Sequence, residues 1–200
     1  MIAASGISIH YKCIPDDISR LLEHATAEDL QDISGIKSVS RQAEIIATRL
    51  LAREMFPDKQ IVAISHHDDG SPYIPESGYN ISVSHCKGMV AIACHPRYRI
   101  GIDIERWRNS LLKIKPRFLS TEEMEFYVTQ DKLLLAWTAK EAVYKAAGCK
   151  GLDFANGISL PLSATDNTAT LHLPDRDIHF SLYTRSTNGI TTTVAVPSIP

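Results

Sequence analysis

The chain has 200 residues and only four cysteines, Cys13, Cys86, Cys94 and Cys149. No two form a Cys-x-x-Cys pair, which excludes a zinc ribbon or a thioredoxin-type motif and points to free, buried thiols in a reducing compartment. Long apolar runs are also missing. Nothing approaches the roughly 20 residues a membrane helix needs, and MIAASGISIHYK lacks the basic start and apolar stretch of a secretory signal. The expectation is a cytoplasmic protein without a membrane partner. Positive charge is scarce too: 21 Lys and Arg stand against 23 Asp and Glu, a net charge of −2. A nucleic-acid partner would call for a basic excess or stripe. What is present is ordinary for a globular protein, 44% apolar and 22% charged residues, on a chain long enough to bury a core without staples.

Hydrophobic periodicity divides the chain into two runs of similar order. In the first, ISIHYK (7–12) reads as a strand, and a polar region follows it. Residues 39–56 read as an amphipathic helix ended by Pro57 and Asp58. QIVAIS (60–65) reads as a strand, and 66–78 as a polar loop that includes His66-His67-Asp68-Asp69. YNISVSH (79–85) and MVAIACH (89–95) read as paired strands. The second run opens with GIDIE and a helical stretch near 109–117. Ser120 and Glu123 have the spacing of a capping box, and a long helix over about 130–147 stops at Gly148. The last fifty residues, with turns at Asp166-Asn167, Pro174-Asp175 and Asn188-Gly189, read as a small antiparallel sheet.

In the stretch I-G-I-D-I-E (100–105) one strand face is all isoleucine, and the other carries Gly101, Asp103 and Glu105. Two acids side by side repel; for an Asp-x-Glu taken alone, exposure to water is the more frequent resolution, and a cation is the other. The long helix carries Leu135, Ala139, Ala142 and Ala146 on one stripe, and Trp137, Glu141, Tyr144 and Gly148 on the opposite one. Both stripes favour burial, so Glu141 needs a partner charge, either Lys145 one turn on or a metal ion. Two strand carboxylates and one helix carboxylate make a hard oxygen donor set of the kind magnesium takes with phosphate ligands. Gly101 reads as the gap that leaves room for a ligand. Trp107 is expected in the core or lining the site.

GIDIE followed by WTAKEAVYKAAG resembles the signature of the 4′-phosphopantetheinyl transferase superfamily, and the length resembles its surfactin-synthetase-activating branch. The resemblance extends upstream to Gly70-Ser71-Pro72, a glycine-x-proline turn, and to the strand ending Ser84-His85. Arg41 is the best match to an arginine of the family's N-terminal helix. The resemblance covers about residues 35–150 and implies an α+β fold of two similar α/β halves related by pseudo-two-fold symmetry. Residues 1–99 would hold the adenosine end of coenzyme A, and 100–200 the metal site and catalytic helix. It further implies transfer of the phosphopantetheine arm of coenzyme A to a serine of an apo acyl or peptidyl carrier protein, with release of adenosine 3′,5′-bisphosphate. Asp103, Glu105 and Glu141 would hold magnesium. Glu141 would help deprotonate the serine, and Lys145 would bind a phosphate oxygen. Gly70, Pro72, Arg41, Ser84 and His85 would hold the adenosine end, Arg41, Ser84 and His85 reaching its 3′-phosphate. Ser71 departs from the pattern, because a lysine often stands in that position. A chain supplying both halves is expected to be a monomer. Two other readings use the same residues: a magnesium-dependent nuclease or phosphodiesterase, disfavoured by the charge balance, and a non-catalytic module that docks carrier proteins.

Overall fold

The computed structural model of the protein describes residues 6–58, 62–163 and 165–198. The first half runs β1 (Ser8–Cys13), two short helices α1 (Ser19–Leu22) and α2 (Ala27–Ile33), the long helix α3 (Val39–Met55), two-residue strands β2 (Ser65–His66) and β3 (Pro72–Tyr73), then β4 (Asn80–Cys86) and β5 (Met89–His95). The second half runs β6 (Gly101–Arg106), α4 (Ser110–Ile114) continued by a 3-10 turn over Lys115–Arg117, α5 (Thr121–Phe126), α6 (Gln130–Ala147), α7 (Phe154–Gly157), β7 (Ile158–Ser159), β8 (Thr168–His172), β9 (Asp177–Thr187) and β10 (Ile190–Pro197).

The halves repeat one plan. In each, the first strand pairs antiparallel with the last, β1 with β5 and β6 with β10, and the long helix packs on that pair. The fold is therefore α+β, with sheets ordered β1-β5-β4 and β6-β10-β9-β8-β7. One apolar cluster lies under α3 and another under α6. A third, built on Ile100, Ile102 and Ile104 with Ala91, Ala93 and Val194, joins the halves. The all-isoleucine face of β6 is thus the glue between halves. Burying each such side chain stabilises by roughly 1.5–3 kcal/mol.

The helix ends follow their sequence signals. Ser38 caps α3 by accepting from the Arg41 amide, and Ser120 and Glu123 form the expected reciprocal capping box at α5. Gly148 ends α6 in the left-handed conformation, φ 63°. The hairpin tip Asn188-Gly189 has both φ values positive, 53° and 71°, the geometry that two-residue turns demand.

Three expectations need correction, and one region gains detail. Of the strand expected over 60–65, 62–64 carry no ladder and Ser65 opens the two-residue strand Ser65–His66, while 60–61 lie outside the described residues. The polar region after β1 contains α1 and α2, and α2 is held by a capping box between Thr26 and Asp29. Only Cys86 and Cys94 are buried thiols. Cys13, at the end of an edge strand, is exposed, and Cys149 is half-buried. Gly101 leaves no space for a ligand, because a Cβ there would sit 1.9 Å from the Ala142 carbonyl oxygen. Its missing side chain admits the backbone of α6.

Candidate active site

β4 and β6 lie edge to edge where the two sheets meet, and serine hydroxyls replace the missing ladder bonds. The Ile102 amide donates to Ser82 Oγ at 3.1 Å, and the Ile104 amide donates to Ser84 Oγ at 3.1 Å. The Ser84 hydroxyl in turn donates to Asp103 Oδ1 at 2.8 Å. Ser82 and Ser84 are each 4% exposed. Ser84, expected at the adenosine end, is enclosed in this seam and donates to Asp103.

The α6 helix crosses β6 at backbone contact, which brings Glu141 and Lys145 over the strand's acidic face. Lys145 Nζ donates to Asp103 Oδ1 at 2.8 Å and to the Ile102 carbonyl at 2.9 Å. Glu105 accepts from the Arg106 amide at 2.9 Å and from Arg108 Nε at 3.0 Å. The Arg108 guanidinium also lies 5.5 Å from the Trp137 ring centroid, a cation–π contact that ties the strand end to α6. Trp107 packs against the C-terminal core. Glu141 alone has no hydrogen bond or ion pair among the described residues. Burial, then the Asp103 charge, push its carboxyl above the ordinary value, and Lys145 and Arg108 only partly offset them. No three His, Cys, Asp or Glu groups among the described residues form a ready-made metal cage, since Asp103 and Glu105 are turned to lysine, serine and arginine donors.

Arg41 and His85 come together on the other side of β4. Arg41 Nη1 donates to Glu44 Oε2 at 3.0 Å and faces His85 Nε2 at 3.3 Å. With Nε2 accepting, the imidazole proton sits on Nδ1, which faces Glu44 Oε1 at 3.4 Å. Burial, with a smaller contribution from Arg41, pushes the His85 pKa down although Glu44 opposes it. The Asp69–Pro72 turn is closed by Asp69 Oδ1, which accepts from the Ser71 amide at 2.8 Å and hydroxyl at 2.6 Å. Gly70 adopts φ 86°. A cavity of about 380 Å³ runs from Arg41 and His85 to Gly70 and Pro72. A second, of about 320 Å³, continues from the same turn to Arg99, Lys145 and Lys150. The two border β4 and share Gly70, Pro72 and Val83 as walls, and Lys145 lines the second.

Three comparisons bear on this site. Residues 99–195 match the model of the 4′-phosphopantetheinyl transferase superfamily. The chain is 29% identical over 147 residues to the 4′-phosphopantetheinyl transferase Sfp of Bacillus subtilis (strain 168), covering 66% of this chain and 61% of that protein. It is 28% identical over 184 residues to enterobactin synthase component D of Salmonella typhimurium, covering 80% and 74% of the two chains. The C-terminal half of the chain is thus similar to the 4′-phosphopantetheinyl transferase superfamily. The matched stretch spans about three-fifths of the Bacillus relative.

Several residues in and around this site were not singled out in the sequence. Lys140 is fully buried beside Glu141 and donates to Glu123 Oε2 at 2.6 Å and to the Phe154 carbonyl at 2.7 Å. Its signal was its place on the buried stripe with Ala136 and Val143. Arg108 follows Glu105 by three residues, and Ser82 precedes Ser84 on the same strand face. A row on the distal sheet has the atom order of a hydrolase triad: Ser159 Oγ lies 2.8 Å from His172 Nε2, and His172 Nδ1 lies 2.9 Å from Asp177 Oδ1. It lies open to solvent, His172 and Asp177 being 41% and 52% exposed. The adjacent Leu160 amide is held by Glu123, so it is not available as an oxyanion donor.

Proposed function

We propose that this protein transfers the 4′-phosphopantetheine arm of coenzyme A to a serine hydroxyl of an apo carrier protein and releases adenosine 3′,5′-bisphosphate. The observation that carries this reading is Glu141, a half-buried carboxylate with no donor of its own, facing Asp103 and Glu105. That hard, all-oxygen donor set fits a divalent cation. Asp103, Glu105 and Glu141 would hold magnesium, which when bound supplies charge neutralisation for the diphosphate.

The chain's own residues account for the rest. The carrier serine oxygen attacks the β-phosphorus. The bond from that phosphorus to the bridging oxygen breaks, and the bridging oxygen leaves on the adenosine bisphosphate. Glu141, more basic than an ordinary glutamate, takes the hydroxyl proton directly or through a water. Lys145, already 2.8 Å from Asp103, adds a donor to a phosphate oxygen as charge builds. Ser84 and Arg108 keep Asp103 and Glu105 oriented. The Gly70–Pro72 turn, Arg41 and His85 hold the adenosine end in the cavities beside β4. The N-terminal half thus binds and the C-terminal half reacts. The acceptor's hydroxyl and the diphosphate are brought together mainly by positioning.

The test is direct. The protein is incubated with coenzyme A, magnesium and a panel of apo fatty-acid, polyketide and peptide carriers, and each carrier is weighed by intact-mass spectrometry. A gain of one phosphopantetheine group on at least one carrier is expected. Unmodified carriers throughout, with the protein shown to be folded, refute the reading.

A further inference from the structure

The family-like turn carries Ser71 where a lysine often stands, yet of the two cavities beside it the second is the more cationic. Of the charged side chains lining it, Arg99, Lys145 and Lys150 are positive and Asp69 alone is negative. Lys145 is engaged by Asp103. Arg99 reaches in from the loop before β6 and donates through Nη2 to Asp69 Oδ2 at 2.7 Å, which leaves its remaining N–H groups for another acceptor. It can do so because Gly148 has no side chain. A Cβ there would come within 2.3 Å of the guanidinium. Lys150 meets the same loop through the neutral carbonyl of Asp68 at 3.2 Å, without a counter-charge in that contact. Tyr73, stacked on His67 with ring centroids 4.4 Å apart, and Tyr144 supply flat apolar walls.

The geometry points to Arg99 and Lys150 as binding residues for a phosphate of the adenosine bisphosphate moiety, delivering from the C-terminal half the charge that the Ser71 turn lacks. This assignment rests on the coenzyme reading above. An aromatic-walled cavity with two under-used cations suits a purine nucleotide carrying more than one phosphate. Asp69 then acts as a placeholder that orients the guanidinium until the phosphate arrives.

Calorimetric titration without metal or carrier tests it, with adenosine 3′,5′-bisphosphate and adenosine 5′-monophosphate as probes. Arg99→Gln is expected to weaken bisphosphate binding roughly 10-fold to 100-fold, the range of a charge-assisted hydrogen bond. Lys150→Gln, at the surface, is expected to weaken it several-fold. Asp69→Asn keeps the acceptor for Ser71 but releases Arg99, so binding should hold or tighten. A loss confined to the bisphosphate places the 3′-phosphate at Arg99, and a loss with both probes places the 5′-phosphate there. Affinities of Arg99→Gln and Lys150→Gln within twofold of the parent overturn the assignment. So does an Asp69→Asn variant as weak as Arg99→Gln, since the ion pair would then merely brace the loop. A parent protein that binds neither nucleotide removes the coenzyme reading itself, and this assignment with it.

Discussion

Replacing Lys140 by methionine isolates the internal pair on which α6 rests. Lys140 is 0% and Glu123 3% exposed. The substitution removes Nζ from Glu123 Oε2 and from the Phe154 carbonyl, while Glu123 still accepts from the Ser120 amide at 2.9 Å and the Leu160 amide at 2.8 Å. What remains is a buried carboxylate with two amide donors and no counter-charge, plus one orphaned carbonyl. Breaking a buried pair on one side costs about 3–5 kcal/mol. For a chain of this size that is a fall of roughly 6–20 °C in Tm. The double variant Lys140→Met/Glu123→Gln removes both charges, and its remaining penalty is about that of a weakened cap, on the order of 1 kcal/mol. Urea unfolding followed by circular dichroism on both single variants and the double one gives the coupling, expected at about 2 kcal/mol or more. A Lys140→Met penalty below about 1 kcal/mol, or additive single costs, would refute the claim that the charge itself is what the core must neutralise.

Three other outcomes follow from the site and its supports. Gly101→Ala places a methyl group 1.9 Å from the Ala142 carbonyl, so α6 must shift. Overpacking costs about 1–3 kcal/mol, and carrier modification should fall further than the Tm loss explains; a parent-like rate and Tm would show that the helix is free to move. Glu141→Gln should slow transfer by about 10²-fold or more with an unchanged or raised Tm, since a carboxylate lacking a donor is removed; a rate within threefold rejects its role. Asp29 is buried, which alone would raise its carboxyl, but bonds from Arg53, the Thr26 amide and Arg49 outweigh this and hold it below its usual 3.8. A depressed carboxyl stabilises above its unfolded value and loses that contribution as pH falls below it. The Tm gap between parent and Asp29→Asn should therefore be wide at neutral pH and close below pH 3.8; a gap that persists in strong acid contradicts the assignment.

Periodicity and caps made the long elements legible. The helices over Val39–Met55 and Gln130–Ala147 and the Asn80–His95 hairpin stand where the apolar spacing and turn residues place them. Local signals failed where tertiary contacts decide. Residues 62–64 have a strand's composition but no ladder to join, while α1 and α2, four and seven residues long, are too short to show a period and depend on packing against α3. Gly101 was legible as a gap but not as to what fills it, because the answer is the backbone of a helix forty residues away. Lys140 was hidden by its type: a lysine reads as exposed until its partner is found. The depth of Ser84 in the seam depends on β6, which no local pattern reveals.

The close approach at Gly101 has a consequence for how this centre tolerates change. Since the main chain of α6 rests on the main chain of β6, the separation between helical and strand carboxylates is gauged by peptide units rather than by interchangeable side chains. Drift in the surrounding apolar residues leaves that gauge untouched, whereas one added methyl group resets it. Any change in that separation has to come through the main chain at this crossing.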